Sequence, residues 1–150
     1  MTDFYDALEI RAPDEREAAL MAALPAHISL AKRSTGAFGE ILAGVDTAAI
    51  SSRAALGALP VTRKHELLAR QQALRAQDPF GGFSAVGWRG LRAGKGAKRV
   101  FQSPGPIYEP EGQGSDYWRM ARAIFAAGFR EGDLAHCSFS YHLTPAGSMM

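Results

Sequence analysis

Apolar residues recur at helical intervals through the first half of the chain, whereas the second half reads as strand, loop, helix, turn and strand. Pro13-Asp14-Glu15-Arg16-Glu17 is a helix start, with proline early and acids in the first turn. Leu20, Met21 and Leu24 then form a short apolar stripe. Pro25 is expected to break or kink the run, because it removes a backbone donor. A second helical run from about Ala26 to Leu42 gathers Ile28, Leu30, Ala31, Phe38, Ile41 and Leu42 near one side. Gly36 and Gly39 weaken it and Gly44 ends it. Ile50 to Leu56 is a short helical turn capped by Ser51 or Ser52. Thr62 is placed to cap a helix from Lys64 to Arg75, with His65 and Glu66 reaching back to its first turn.

Further on, Lys98-Arg99-Val100-Phe101 is expected as a strand and Gln102 to Pro110 as a turn-rich loop. A helix is expected from about Ser115 to Ala127, closed by Gly128. Its stripe of Tyr117, Met120, Ala121 and Ile124 should pack on a sheet. A second buried strand is expected from Leu134 to Ser140, parallel to the first and joined by a right-handed crossover. The pattern is that of an α/β protein. A helical covering region spans 1–88, and the first β–loop–α–β unit of an incomplete α/β domain spans 89–150. In such folds ligands bind at loops after the carboxyl ends of strands.

Composition narrows the classes. The chain has 150 residues, 47% hydrophobic and 21% charged, which suits an ordinary domain with a core. A net charge of +2 gives no argument for nucleic acid. One cysteine, Cys137, excludes an internal disulfide and a Cys-rich zinc site. On a strand it would be a small buried residue, facing away from His136. No apolar run is long enough to span a membrane, and the acidic, aromatic start is unlike a secretory signal. A cytoplasmic protein is the expectation. Arg89, Arg92, Lys95, Lys98 and Arg99 occur without an acid among them. Gly90 to Gly96 fails as a Walker A loop on spacing and has Gly96 where a Ser or Thr would hold magnesium, so the stretch is read as a solvated basic loop.

Several segments carry a family likeness together. Leu59-Pro60-Val61-Thr62-Arg63-Lys64-His65-Glu66-Leu67 is similar to Leu-Pro-x-Thr-x-Lys-x-x-Leu, and Pro79-Phe80-Gly81 to Pro-Phe-Gly. Ser103, Gly105 and Pro110 fall on positions of a Ser-Ser-Gly-Thr-Thr-Gly-Lys-Pro loop. Tyr117 to Ala123 looks like a helix rich in Trp, Met and Ala. Ala127-Gly128-Phe129-Arg130-Glu131-Gly132-Asp133 matches Ala-Gly-x-x-x-Gly-Asp, and Phe139-Ser140-Tyr141-His142-Leu143 is similar to an aromatic Tyr-Gly-Tyr segment. In this order the set resembles the amino-terminal portion of the phenylacetate–coenzyme A ligase family, within the adenylate-forming acyl-CoA synthetases.

The resemblance implies a function for a full-length parent. Such an enzyme activates a small-molecule carboxylic acid with ATP and magnesium to an acyl-adenylate, then transfers the acyl group to coenzyme A. It implies phosphate-loop positions at Ser103 and Gly105 and acid-contacting positions at Tyr141 and His142. Core packing with an exposed histidine is the competing reading of the last two. The loop departs from the family, since Pro106-Ile107-Tyr108-Glu109 stands where Thr-Thr-Gly-Lys would. Pro104 and Pro106 lack N–H donors, Ile107 and Tyr108 add bulk, and Glu109 opposes phosphate. A degenerate phosphate loop and a plain connection therefore both stay open.

Two function classes follow. One is the amino-terminal part of a ligase that is inactive by itself, because the family's later lysine and its adenine and ribose contacts have no counterpart here. No ATP, magnesium or coenzyme A is then expected on this chain alone, and its partner is the remainder of the domain or a second copy. The other is a family-like binding or assembly module that has lost ATP use. Neither implies nucleic acid or a membrane.

Overall fold

The computed structural model describes residues 3–87, 96–138 and 147. They fall into two compact units, one of Arg11–Ala85 and one drawing on Met1–Ile10 and Val86–Met150.

The first unit is helical. Helix α1 runs Pro13–Ser34, with Pro13 at its start and Asp14 and Glu15 in its first turn. It passes through Pro25 without a break. Proline forfeits one hydrogen bond there, and the turns on either side carry the helix past it. Glu17, Met21, Leu24, Ile28 and Ala31 form its half-buried face, while Leu20 and Leu30 are exposed. The second expected run is divided at Thr35. Its Oγ1 accepts from Phe38 N–H at 3.3 Å and so caps α2, Gly36–Ile41. Lys32 donates to the carbonyls of Ala43 and Val45 just beyond α2, at 3.0 and 2.9 Å. After a 3-10 turn at Thr47–Ala49, Ser52 caps α3, Arg53–Gly57. Helix α4 spans Lys64–Leu74, and Glu66 Oε2 accepts from Arg63 N–H at 2.9 Å. The back-reaching Glu66 is as expected, but the capping position is Arg63 rather than Thr62.

The loop after α4 is tightly fixed. Asp78 carboxylate oxygens accept from the N–H groups of Phe80 and Gly82 at 2.9 and 2.8 Å. Arg70 donates from Nε to the Gly81 carbonyl at 2.7 Å and from both terminal nitrogens to Glu40. Gly82 has φ +77, and a Cβ there would sit 3.0 Å from Ala37 N, which donates to the Gly82 carbonyl. Phe80 is buried in this loop, as are Ala37, Leu42, Ile50 and Gln71 elsewhere in the unit.

The second unit is built on a hairpin. Strand β1, Arg99–Ser103, pairs antiparallel with β2, Ile107–Glu111, in the register Arg99 to Glu111, Phe101 to Glu109 and Ser103 to Ile107. The chain is thus a mixed helical and strand protein with a helical amino-terminal half, as expected at that level. The β–loop–α–β arrangement with parallel strands is not what the described residues form. Of the expected loop, Gln102 and Ser103 end β1, Ile107 to Pro110 lie in β2, and the chain turns back at Pro104–Pro106 instead of crossing over. Residues 134–138 belong to no strand and Leu134 is fully exposed, while Phe139 and Ser140 of the expected strand lie outside the described residues. Cys137, expected to be buried, is exposed for the same reason.

The expected helix of 115–127 shrinks to α5, Ala121–Ala126. Asp116 and Arg119 have φ of +48° and +59°, which a right-handed helix cannot contain. Asp116 Oδ1 instead accepts from the N–H groups of Met120 and Ala121 at 2.7 and 3.0 Å. Rings explain the departure. Trp118 packs edge-on against Phe101 and Tyr117, at centroid distances of 6.2 and 5.1 Å, so tertiary contact wins over helix propensity. The expected closure at Gly128 is present: Phe129 N–H donates to Ile124 and Gly128 N–H to Phe125, with Gly128 at φ +101. This is the Schellman arrangement, in which a left-handed residue satisfies the last carbonyls of a helix.

Candidate functional site

The positions expected for a phosphate loop lie in the hairpin turn. Ser103 ends β1, and its Oγ donates to the Ile107 carbonyl over a long 3.5 Å. Gly105 lies at the tip, where a Cβ would come within 3.1 Å of Ile107 Cγ1. Of Pro104, Gly105 and Pro106 only the glycine has a backbone N–H. A phosphate cradle uses several converging N–H groups, commonly at a helix start. Here the turn leads into a strand, and α5 follows only after the 112–120 segment. Glu109 is not in the turn but within β2, opposite Phe101. Tyr141 and His142, the acid-contacting positions by resemblance, lie outside the described residues.

Sequence reasoning missed the polar centre of this unit. Arg99, Phe101, Ser103, Ile107, Glu109 and Glu111 share one face of the hairpin, since directly paired residues lie on the same side. Glu111 is buried there, a position usually filled by an apolar side chain. Arg99 Nη2 donates to its Oε1 at 2.7 Å and Trp118 Nε1 to its Oε2 at 3.3 Å, while Lys98 Nζ lies 3.8 Å away. Burial pushes the Glu111 carboxyl up. The Arg99 and Trp118 hydrogen bonds and the charges of Arg99 and Lys98 outweigh it and hold the group below the ordinary glutamate value. A buried carboxylate so compensated stays ionised, and its arrangement is that of a structural hub. The available signal was alternation: Arg99, Phe101, Ile107 and Glu111 fall on one face as soon as Pro104-Gly105-Pro106 is read as a hairpin turn.

A cleft of about 480 Å³ lies elsewhere in the same unit, lined by Tyr5, Ile124, Phe125, Phe129 and Arg130 among others. Arg130 is held in place by contacts of its own. Its Nη1 donates to the carbonyls of Phe125 and Phe129, both at 2.8 Å, and its guanidinium carbon stands 3.6 Å above the Phe125 ring. The guanidinium therefore caps α5 and covers an aromatic face at once. The amino-terminal segment contributes Tyr5 to the lining, and its ring meets Phe125 edge-on at 5.7 Å. Among the described residues no group of His, Cys, Asp and Glu is arranged to hold a metal ion, and no helix is long and apolar enough to cross a membrane.

Compared with known proteins, the chain matches no family model, no curated protein sequence and no solved structure.

Proposed function

We propose that this chain is the amino-terminal part of a phenylacetate–coenzyme A ligase-like protein, and that these residues alone do not catalyse its reaction. The whole protein would join a carboxylic acid to ATP with magnesium, releasing pyrophosphate. The resulting acyl-adenylate would pass its acyl group to the coenzyme A thiol, releasing AMP. The observation that carries this reading is the order of the motifs, from Leu59–Leu67 through Pro79–Gly81 and Ser103–Pro110 to Ala127–Asp133 and Phe139–Leu143. In this reading Ser103 and Gly105 stand at phosphate-loop positions and Tyr141 and His142 at acid-contacting positions. The protein would work in the cytoplasm with a small carboxylic acid, and this segment would pair with the rest of the domain or with a second copy. The test is phenylacetate-dependent exchange of pyrophosphate into ATP by the product of the complete reading frame. Exchange is expected, and its absence across a panel of aryl and aliphatic acids would overturn the ligase reading.

One observation favours a second reading, a family-like binding or assembly module that no longer uses ATP. The hairpin turn at 104–106 offers one N–H where a triphosphate needs several. Under this reading the complete product shows no exchange, and restoring the family loop within it does not create any.

A further inference from the structure

We propose that the segment from Asp3 to Ile10 is a detachable strap that forms one wall of the Phe125–Phe129–Arg130 cleft and opens it by lifting away. This goes beyond the ligase-like reading and does not depend on it. The strap is weakly buried: Phe4, Leu8 and Ile10 are 53%, 48% and 61% exposed. It meets α5 through the ion pair of Asp6 with Arg122 and the edge-on packing of Tyr5 on Phe125. Exposed ion pairs and single aromatic pairs are each weak.

The strap also carries its own local structure. Asp6 Oδ1 accepts from Leu8 N–H at 2.9 Å, the Asp6 carbonyl from Glu9 N–H at 3.2 Å, and Glu9 Oε2 from Tyr5 N–H at 2.8 Å. None of these three bonds involves α5, so they can persist when the segment lifts from the helix. The contacts that hold Arg130 and the Gly128 turn do not involve the strap. Arg130 still covers Phe125, and the Gly128 closure still holds the Phe129 turn. Tyr5 and Ile124 line the same cleft, so lifting the strap takes the Tyr5 ring away from Ile124 and from the Phe125 edge.

The experiment uses the full chain with Cys137→Ser and Ile124→Cys, and reads the rate at which a maleimide labels the new thiol. Arg122→Gln is expected to raise that rate about threefold to fivefold, the loss of one exposed ion pair. Arg122→Lys should restore most of the slow rate. About 0.5 M salt should speed labelling of the Arg122 protein by a similar factor, since exposed pairs are screened. Amide exchange at Ile124 and Ala127, whose N–H groups bond to Met120 and Ala123, serves as the control and should not change. A labelling rate indifferent to both Arg122→Gln and salt would overturn the proposal. So would equal acceleration of the α5 amides, which would mean that the helix opens and not the strap.

Discussion

Trp118 Nε1 donates to Glu111 Oε2 across 3.3 Å, which ties the irregular segment after the hairpin to the end of β2. The same indole meets Phe101 edge-on. One side chain thus supplies an apolar face to the buried side of the hairpin and a donor to its buried acid.

Removing the donor alone separates the two roles. Trp118→Phe keeps a ring near Phe101 and leaves the Glu111 carboxylate one partner short. The expected loss is about 1.5 to 3 kcal/mol of unfolding free energy, the range for hydrogen bonds to charged groups. Trp118→Ala should cost more, about 3 kcal/mol or above, because the ring contact goes too. Urea titration measures both. An unchanged midpoint for Trp118→Phe would show that the indole N–H contributes nothing.

The acid itself sets a pH dependence. The folded Glu111 carboxyl lies below its ordinary value of 4.5, so its contribution is complete above that value and is lost as pH falls through the folded one. Asp6, Glu17 and Glu40 are lowered as well, each first by a hydrogen bond from its arginine: Arg122, Arg53 and Arg70. These three are exposed pairs and weigh little. Glu111→Gln should therefore be less stable than the parent at pH 7, and the two stability curves should converge as pH drops below about 4.5. Urea midpoints at a series of pH values test this, and parallel curves would remove Glu111 from the account.

Why was the first unit legible and the second only partly so? Local signals decide the helices: Pro13 with two acids after it, Ser52 ahead of α3, and Glu66 reaching back to Arg63. The Gly128 closure is local too, and it is found where expected. The hairpin was legible in principle, because a short Gly-containing turn between two extended runs is its signature. Pro110 does not preclude a strand, because proline is tolerated at the edge of a two-stranded sheet. What no local pattern contained was the pull of Phe101 on Trp118. That contact holds Asp116 and Arg119 out of the helix that Tyr117 to Ile124 would otherwise form.

Gly112 marks where this packing is tightest. A Cβ on it would stand 2.8 Å from Tyr117 Cε2 and 3.1 Å from Cδ2. Gly112→Ala should destabilise the protein by about 1 to 3 kcal/mol through overpacking. Trimming the ring relieves the clash, so Gly112→Ala with Tyr117→Ala should be less costly than the two single changes added together. A double-mutant cycle in urea reads the coupling directly. Strict additivity would mean that Tyr117 gives way without resistance.

The hairpin also sharpens the expectation for ATP. Magnesium–ATP should not bind the 150-residue chain measurably in isothermal titration, since the turn at Pro104–Pro106 has one N–H to offer. Glu109→Lys should not rescue it. Position 109 is two residues into β2 from Ile107, about 7 Å along a strand that rises some 3.3 Å per residue, so the added cation stands away from the turn. Replacing Pro106-Ile107-Tyr108-Glu109 with Thr-Thr-Gly-Lys should add donors but forfeit the buried Ile107 side chain and place glycine inside β2. The expected result in this chain is a weaker hairpin without ATP binding, seen as a lower unfolding midpoint beside a flat titration. Micromolar binding by the unaltered chain would overturn the reading of this turn and make Ser103 and Gly105 part of a working phosphate site.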